Sequence, residues 1–201
     1  MTFGSGLYGQ LGHGDTEDRT EPTAISSLGL GYAPTAVACG GWHTAILAVA
    51  SSALRMRARE LPPAVDNSRL YTCGWGEAGQ LGLGPAFDSR VSTPTAVEEL
   101  DGLSVSAVSC GSRHTLVVSG AGELLNFGWS VCMREGASTQ GHPEERIWVP
   151  RRVPLEEVWL SKERQAEAGT GSALADVVVL GESLSSGGWH ASFAYQYEAA
   201  C

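Results

Sequence analysis

The sequence has no run approaching the roughly 20 consecutive apolar residues that a membrane span requires, and no basic stretch followed by an apolar one at its start. Both absences lead to the expectation of a soluble intracellular protein, cytoplasmic or nuclear, with no membrane partner. Positive charge is scarce: 13 Lys and Arg stand against 22 Asp and Glu, for a formal net charge of −9. Broad attraction to nucleic acid needs a basic field, so direct nucleic-acid binding is not expected. No Cys-x-x-Cys pair occurs and the 5 cysteines are odd in number. Buried free thiols in a reducing compartment follow more simply than a disulfide frame or a zinc site. No Ser-His-Asp order, phosphate-binding Walker loop or catalytic carboxylate pair is present, and no helix pattern follows the glycine strings as a dinucleotide fingerprint requires. Neither catalytic residues nor a cofactor are expected.

What is abundant is glycine. The 26 glycines and 9 prolines have no collagen-like period, so they describe many short strands joined by tight turns. Apolar residues make up 43% and charged residues 17%, the composition of a folded chain rather than a disordered one.

One phrase is written three times: Cys39-Gly40-Gly41-Trp42-His43-Thr44, Cys110-Gly111-Ser112-Arg113-His114-Thr115 and Ser186-Gly187-Gly188-Trp189-His190-Ala191. Each follows an apolar residue two places ahead (Val37, Val108, Leu184) and precedes an apolar run. A strand, a glycine corner and a second strand are predicted in each copy. A second phrase is written twice. Gly4, then Gly9-Gln10-Leu11-Gly12, is matched by Gly74, then Gly79-Gln80-Leu81-Gly82, and in both a strand ends at the first glycine. Glycine at such corners admits positive φ, and Leu11 and Leu81 are predicted to turn inward as plugs. Pro22, Pro94 and Pro150 then each open or edge a strand, since proline gives no ladder donor.

Set in register, these elements form units of four short strands, about 54 residues from Gly74 to Gly128, which is near the length of a propeller blade. The predicted organisation is a first blade over 1–49, incomplete at its start, an inserted loop over 50–67, a second blade over 68–119, and a third over 120–201. The third carries Gly128, Gly187 and His190 but lacks Gly-Gln-Leu-Gly, and an insertion spans about 131–175. Within it Leu155, Val158 and Trp159 recur at three and four among helix formers, which predicts a short amphipathic helix.

Glycine corner, Gly-Gln-Leu-Gly, strand proline and Cys-Gly-x-x-His-Thr, in this order and spacing, resemble the repeat of the regulator of chromosome condensation family. The resemblance covers nearly all of the chain outside the two insertions, and the phrasing is similar to that of short proteins made mainly of such repeats. It implies an all-β fold, a β-propeller that in the family usually has seven blades, with loop faces that bind partners. Only about three four-stranded blades are written here, whereas a ring closes with about four to eight. The expectation is therefore a partial propeller, a piece of a longer one, with diverged blades or a ring completed by partners as alternatives.

His43, His114 and His190 resemble a zinc triad in number, but their equivalent places in successive blades set them apart. They are read as structural, with ring nitrogens bonded to the nearby glycine corner. Asp15, Glu17 and Asp18 are read as a solvated turn rather than a calcium site. Trp42, Trp75, Trp129 and Trp189 resemble the clustered tryptophans of the plant ultraviolet-B photoreceptor of this family. However, no arginine follows Trp42 or Trp189 in the repeats, so they are read as packing aromatics. The family resemblance also implies guanine nucleotide exchange on a small GTPase as one activity, with no residue here that identifies the wedge it uses. The leading expectation is a non-enzymatic scaffold or adaptor for protein partners, a small GTPase among them. Exchange activity is the alternative, and photoreception ranks behind it.

Overall fold

The computed structural model describes residues 1–28, 31–51, 68–87, 89–129, 146–153, 174–179, 185–186, 191–192 and 195–199. The helix predicted around 155–167, most of the 50–67 loop, and Gly187 and His190 lie outside the described residues.

Fourteen strands are described. They are β1 (Thr2–Gly4), β2 (Arg19–Thr23), β3 (Tyr32–Cys39), β4 (His43–Ala50), β5 (Ser68–Trp75), β6 (Arg90–Ala96), β7 (Val105–Cys110), β8 (His114–Ser119), β9 (Leu124–Trp129), β10 (Arg146–Arg152), β11 (Leu174–Val179), β12 (Ser185–Ser186), β13 (Ala191–Ser192) and β14 (Tyr195–Ala199). Between them lie two single 3₁₀ turns, Pro85–Phe87 and Glu98–Leu100. The all-β expectation holds.

Two complete four-stranded antiparallel sheets form among the described residues, in the orders β3-β4-β5-β6 and β7-β8-β9-β10. Strands adjacent in sequence are adjacent in space, and the tight glycine corners permit this. Three pairs remain: β1-β2, β11-β14 and β12-β13. Sequence unit and sheet are offset by half a period, because each sheet takes its first two strands from one unit and its last two from the next.

The prolines sit where a missing donor does least harm. Pro94 and Pro150 lie within β6 and β10, the outermost strands of their sheets, and register shifts interrupt both ladders around them.

The core lies between the two sheets. Ala45, Leu47 and Leu70 of the first meet Val105, Cys110, Val117, Leu125, Phe127 and Ile147 of the second, with Val97 and Leu100 from the connection. Full burial of a side chain such as Phe127 or Leu70 contributes about 1.5–3 kcal/mol. β4 and β8 are buried along nearly their whole length, whereas β3 is exposed over most of its residues. The difference is one of neighbours: β7 packs on β3 and β4, but among the described residues no sheet occupies the equivalent place before β3.

Candidate functional site

The repeated phrases build one geometry twice. In each Gly-Gln-Leu-Gly corner two consecutive turns form, through Gly9 N–H to Gly6 O (2.7 Å) and Gly12 N–H to Gly9 O (3.0 Å), then Gly79 N–H to Gly76 O (2.8 Å) and Gly82 N–H to Gly79 O (3.0 Å). The glutamine closes the corner on itself: Gln10 Oε1 accepts from Tyr8 N–H (2.8 Å) and Gln80 Oε1 from Ala78 N–H (3.0 Å). Thr2 and Thr72 donate their hydroxyls to the carbonyls of Leu11 and Leu81, each at 2.7 Å. Both leucines are buried, as predicted.

Each corner is fastened to the sheet that follows it in the chain. Thr44 of β4 donates to Gln10 O and Thr115 of β8 to Gln80 O, both at 2.8 Å. Gly14 N–H reaches Ser92 O of β6 (2.9 Å) and Gly84 N–H reaches Trp148 O of β10 (3.0 Å). The threonine of the Cys-Gly-x-x-His-Thr phrase is thus the receptor for the preceding corner, a role that becomes visible only once the sheets are side by side.

Gly74 and Gly128 have φ of +117° and +98°, and a Cβ on either would meet the strand alongside, at Trp42 O and His43 Cα or at Arg113 O and His114 Cα. These positions need glycine for both conformation and space. Gly40 and Gly111 are constrained differently, since a side chain on either would run into the ring of His43 or His114.

His43 differs from expectation in its partner. His43 Nε2 bonds the Thr115 hydroxyl of the next sheet at 2.8 Å, while its ring packs against Gly40 without a hydrogen bond to it. Because the Thr115 hydroxyl donates to Gln80 O, it accepts from His43, which fixes the Nε2–H tautomer. Burial pushes the His43 ring down to about 3, and nearby His114 adds to this, so the ring is neutral at physiological pH. Among the described residues no group of three or more His, Cys, Asp or Glu is arranged to hold a metal ion. Asp15 accepts from Glu17 N–H and from Arg19 (2.7 Å), and Asp18 accepts from Gly6 N–H (2.8 Å), which makes this stretch a hydrogen-bonded turn.

Among the thiols, Cys73 and Cys110 are buried and desolvation pushes both up to about 12. Cys39 departs from the expectation of burial and is exposed, because it lies on the uncovered β3.

The corners, the β3–β4 and β7–β8 turns and the ends of β5 and β9 gather at one end of the sheets, and an aromatic-cationic cluster lies there. Arg113 stands over three rings, with its guanidinium carbon 5.9 Å from the centroid of Trp42, 5.4 Å from Trp75 and 5.3 Å from Trp129. Trp42 meets Trp75 edge-on at 5.6 Å and Tyr8 edge-on at 6.4 Å. A cation–π arrangement thus accompanies the packing expected of these tryptophans, although no arginine follows Trp42 or Trp189 in the repeats. Arg113 occupies in the second phrase the place of Trp42 in the first, so the partners come from neighbouring copies rather than from one. An open cleft lined by Trp75, Glu77, Ala78, Arg113, Trp129 and Arg146 adjoins the cluster. All of Trp42, Trp75, Arg113 and Trp129 remain partly exposed. Such a surface of aromatic and arginine side chains, with one acidic and one further basic group beside it, suits the anchoring of a protein segment.

The model of the regulator of chromosome condensation (RCC1) repeat matches residues 2–47 and 67–118. The chain is 33% identical over 152 residues to the ultraviolet-B receptor UVR8 of Arabidopsis thaliana, which covers 76% of this chain and 29% of that protein. It is 29% identical over 208 residues to RCC1 domain-containing protein 1 of Homo sapiens, covering 85% of this chain and 48% of that one. Among solved structures it is similar to Prp20p from Saccharomyces cerevisiae, described with its binding properties to Gsp1p and histones, at a TM-score of 0.61 and 19% identity over 96% of this chain and 39% of that one. The chain thus spans less than half the length of these relatives, and its sheets are part of a β-propeller.

Proposed function

The chain belongs to the RCC1 repeat family, and on that premise we propose that it is a protein-binding scaffold whose loop face, centred on Arg113 and Trp42, Trp75 and Trp129, anchors a partner protein. The observation that carries this reading is the partly exposed cluster with its adjoining cleft at one end of the sheets. Among the described residues, Gln10, Gln80, His43, Thr44 and Thr115 are engaged in hydrogen bonds within and between the sheets, which supports reading Gly-Gln-Leu-Gly and Gly-x-x-His as parts of the scaffold.

The test is capture of partners by the full chain and by its Trp75→Ala and Arg146→Glu variants, with bound proteins identified by mass spectrometry. A set of proteins bound by the parent and lost by both variants supports the reading. Unchanged capture by both overturns it. Guanine nucleotide exchange is the first alternative, drawn from the Gsp1p binding described for Prp20p. Accelerated nucleotide release from a small GTPase at catalytic concentrations of this chain would replace the pure scaffold with an exchange factor.

A third reading, ultraviolet-B perception, is favoured by one observation, the stacking of Arg113 on three tryptophans in a chain similar to UVR8. Illumination at tryptophan-absorbing wavelengths that leaves the oligomer size and the near-ultraviolet circular dichroism unchanged removes it.

A further inference from the structure

The two Gly-Gln-Leu-Gly corners place different side chains beside the aromatic cluster. Tyr8 and Ala78 hold the same position, since each gives its N–H to the glutamine of its corner, Gln10 at 2.8 Å and Gln80 at 3.0 Å. Trp42 and Arg113 also share a position. The carbonyl of each accepts the N–H of the residue that ends the strand alongside, Trp75 or Trp129, both at 2.8 Å. Arg90 and Arg146 form a third pair, by the registers Trp75↔Arg90 and Trp129↔Arg146.

At the first corner the chain supplies a ring of its own. Tyr8 packs edge-on against Trp42, with centroids 6.4 Å apart, and Arg90 donates to the Leu7 carbonyl at 3.1 Å. At the second corner alanine stands where the tyrosine stood. There the open cleft of about 180 Å³ lies against Ala78, with Trp75, Trp129 and Arg113 among its walls. The cleft is the space beside the cluster that a ring takes one repeat earlier. Its size agrees, since an apolar cavity of about 150 Å³ takes up a benzene ring. Its walls agree as well: indole rings accept an aromatic neighbour edge-on or offset, and a guanidinium accepts a ring face. Ala78 is buried, whereas Glu77 and Arg146 are exposed beside it.

We propose that this cleft receives an aromatic side chain, tyrosine or phenylalanine, from a segment of a partner protein that carries an acidic residue beside that ring. The proposal rests on the loop face being a partner-binding surface. The ring takes the place that Tyr8 has at the first corner, against Ala78 and beside Arg113. The acidic neighbour follows from charge. Two arginines, Arg113 and Arg146, line the cleft against one acidic residue, Glu77, in a chain whose net charge is −9. Arg113 is laid over three tryptophans, and the exposed Arg146 is the group that a partner carboxylate reaches. An acidic segment is complementary to this place while the rest of so acidic a chain repels it, which sets its register.

Three short peptides blocked at both ends test this: Glu-Glu-Tyr-Glu-Glu, its counterpart with alanine for tyrosine, and Lys-Lys-Tyr-Lys-Lys. Each is titrated into the full chain and followed by the tryptophan indole N–H resonances. The acidic tyrosine peptide is expected to bind about tenfold tighter than either of the others, since burial of one ring and one charge-assisted contact each supply that much. Its ring is expected to show Overhauser contacts to Trp75 or Trp129. Ala78→Tyr supplies the ring from the chain itself, as Tyr8 does, and is expected to abolish the binding. Arg146→Gln is expected to remove the preference for the acidic peptide over the basic one. Equal binding of the alanine peptide, no binding of any peptide at millimolar concentration, or a bound ring without contacts to either indole overturns the proposal. The Overhauser measurement needs no variant, so it decides even where Ala78→Tyr fails to fold. A basic peptide that binds as tightly as the acidic one, or an unchanged preference in Arg146→Gln, overturns the acidic neighbour. A parent that self-associates, with an Ala78→Tyr variant that does not, gives the cleft to a second copy of this chain and overturns the proposal too. Partner capture that is lost in Trp75→Ala and Arg146→Glu but kept in Ala78→Tyr removes the aromatic occupant and leaves the loop face as an anchor.

Discussion

His43 Nε2 lies 2.8 Å from the Thr115 hydroxyl, joining two sheets across 72 residues of sequence. The same hydroxyl donates to Gln80 O at 2.8 Å, so one buried oxygen ties together a histidine of one blade, a strand of the next and the corner that links them. Thr44, the counterpart of Thr115, has the corner bond to Gln10 O.

Removing the hydroxyls separates these roles. Thr115→Val strands both the His43 N–H and the Gln80 carbonyl in the interior, at a cost of about 2–4 kcal/mol, whereas Thr44→Val loses one bond and costs about 1 kcal/mol. Urea unfolding followed by circular dichroism measures both. Equal losses would show that the histidine bond carries no weight.

The neutral state of His43 sets an acid limit. Its folded value of about 3 lies below its ordinary 6.5, so between those values the unfolded chain binds a proton that the folded chain refuses. The stability is complete above pH 6.5 and declines as pH falls from 6.5 towards 3, by up to about 1.4 kcal/mol per pH unit. Urea midpoints at pH 7, 6, 5 and 4 check this. His43→Gln, which cannot charge, is expected to have a flatter profile over the same range, and an identical slope would place the acid sensitivity elsewhere.

Glycines with positive φ are not equivalent. Gly84 has φ +88° with nothing near its Cβ position, whereas Gly74 has φ +117° with the Trp42 carbonyl and His43 backbone against it. Gly84→Ala is expected to cost about 1–2 kcal/mol from conformation alone. Gly74→Ala adds a clash with backbone and is expected to cost at least about 2 kcal/mol more. Thermal unfolding midpoints of the two variants rank them.

The thiols offer a simple check of burial. In a Cys132→Ser, Cys201→Ser background, a thiol reagent at pH 8 is expected to modify Cys39 at once and Cys73 and Cys110 only after denaturant is added, since burial pushes the latter two up to about 12. Three rapid equivalents would mean that the sheets open readily.

The blade was legible in the sequence because each of its parts has a local cause. Gly74 and Gly128 take positive φ one residue before the ends of β5 and β9, Pro94 and Pro150 declare edges, and Leu81 is an apolar residue enclosed by glycines. What lies between blades was not legible, because it depends on which residues of separate units face each other. Thr115 gives no sign in the sequence that it receives His43. Arg113 has no tryptophan in its own phrase and stacks on Trp42 of the phrase before. Cys39 and Cys110 share one phrase and differ in exposure, since among the described residues β7, which bears Cys110, packs on β3 and β4 of the preceding sheet, whereas β3 has no such neighbour.

Arg113 gives the last prediction. Its guanidinium is within 6 Å of the centroids of Trp42, Trp75 and Trp129, and a partly desolvated cation–π contact contributes about 0.5–2 kcal/mol. Arg113→Ala is therefore expected to lower stability by about 1–2 kcal/mol, and with the central cation gone the rings lose their fixed edge-on packing. Arg113→Lys keeps the charge but cannot lay a planar group over three rings, so its stability loss is smaller while its near-ultraviolet circular dichroism still departs from the parent. The two measurements are independent. A lysine variant that matches the parent in both would show that charge alone organises the cluster, and an alanine variant that does so would show that the tryptophans hold one another without the arginine.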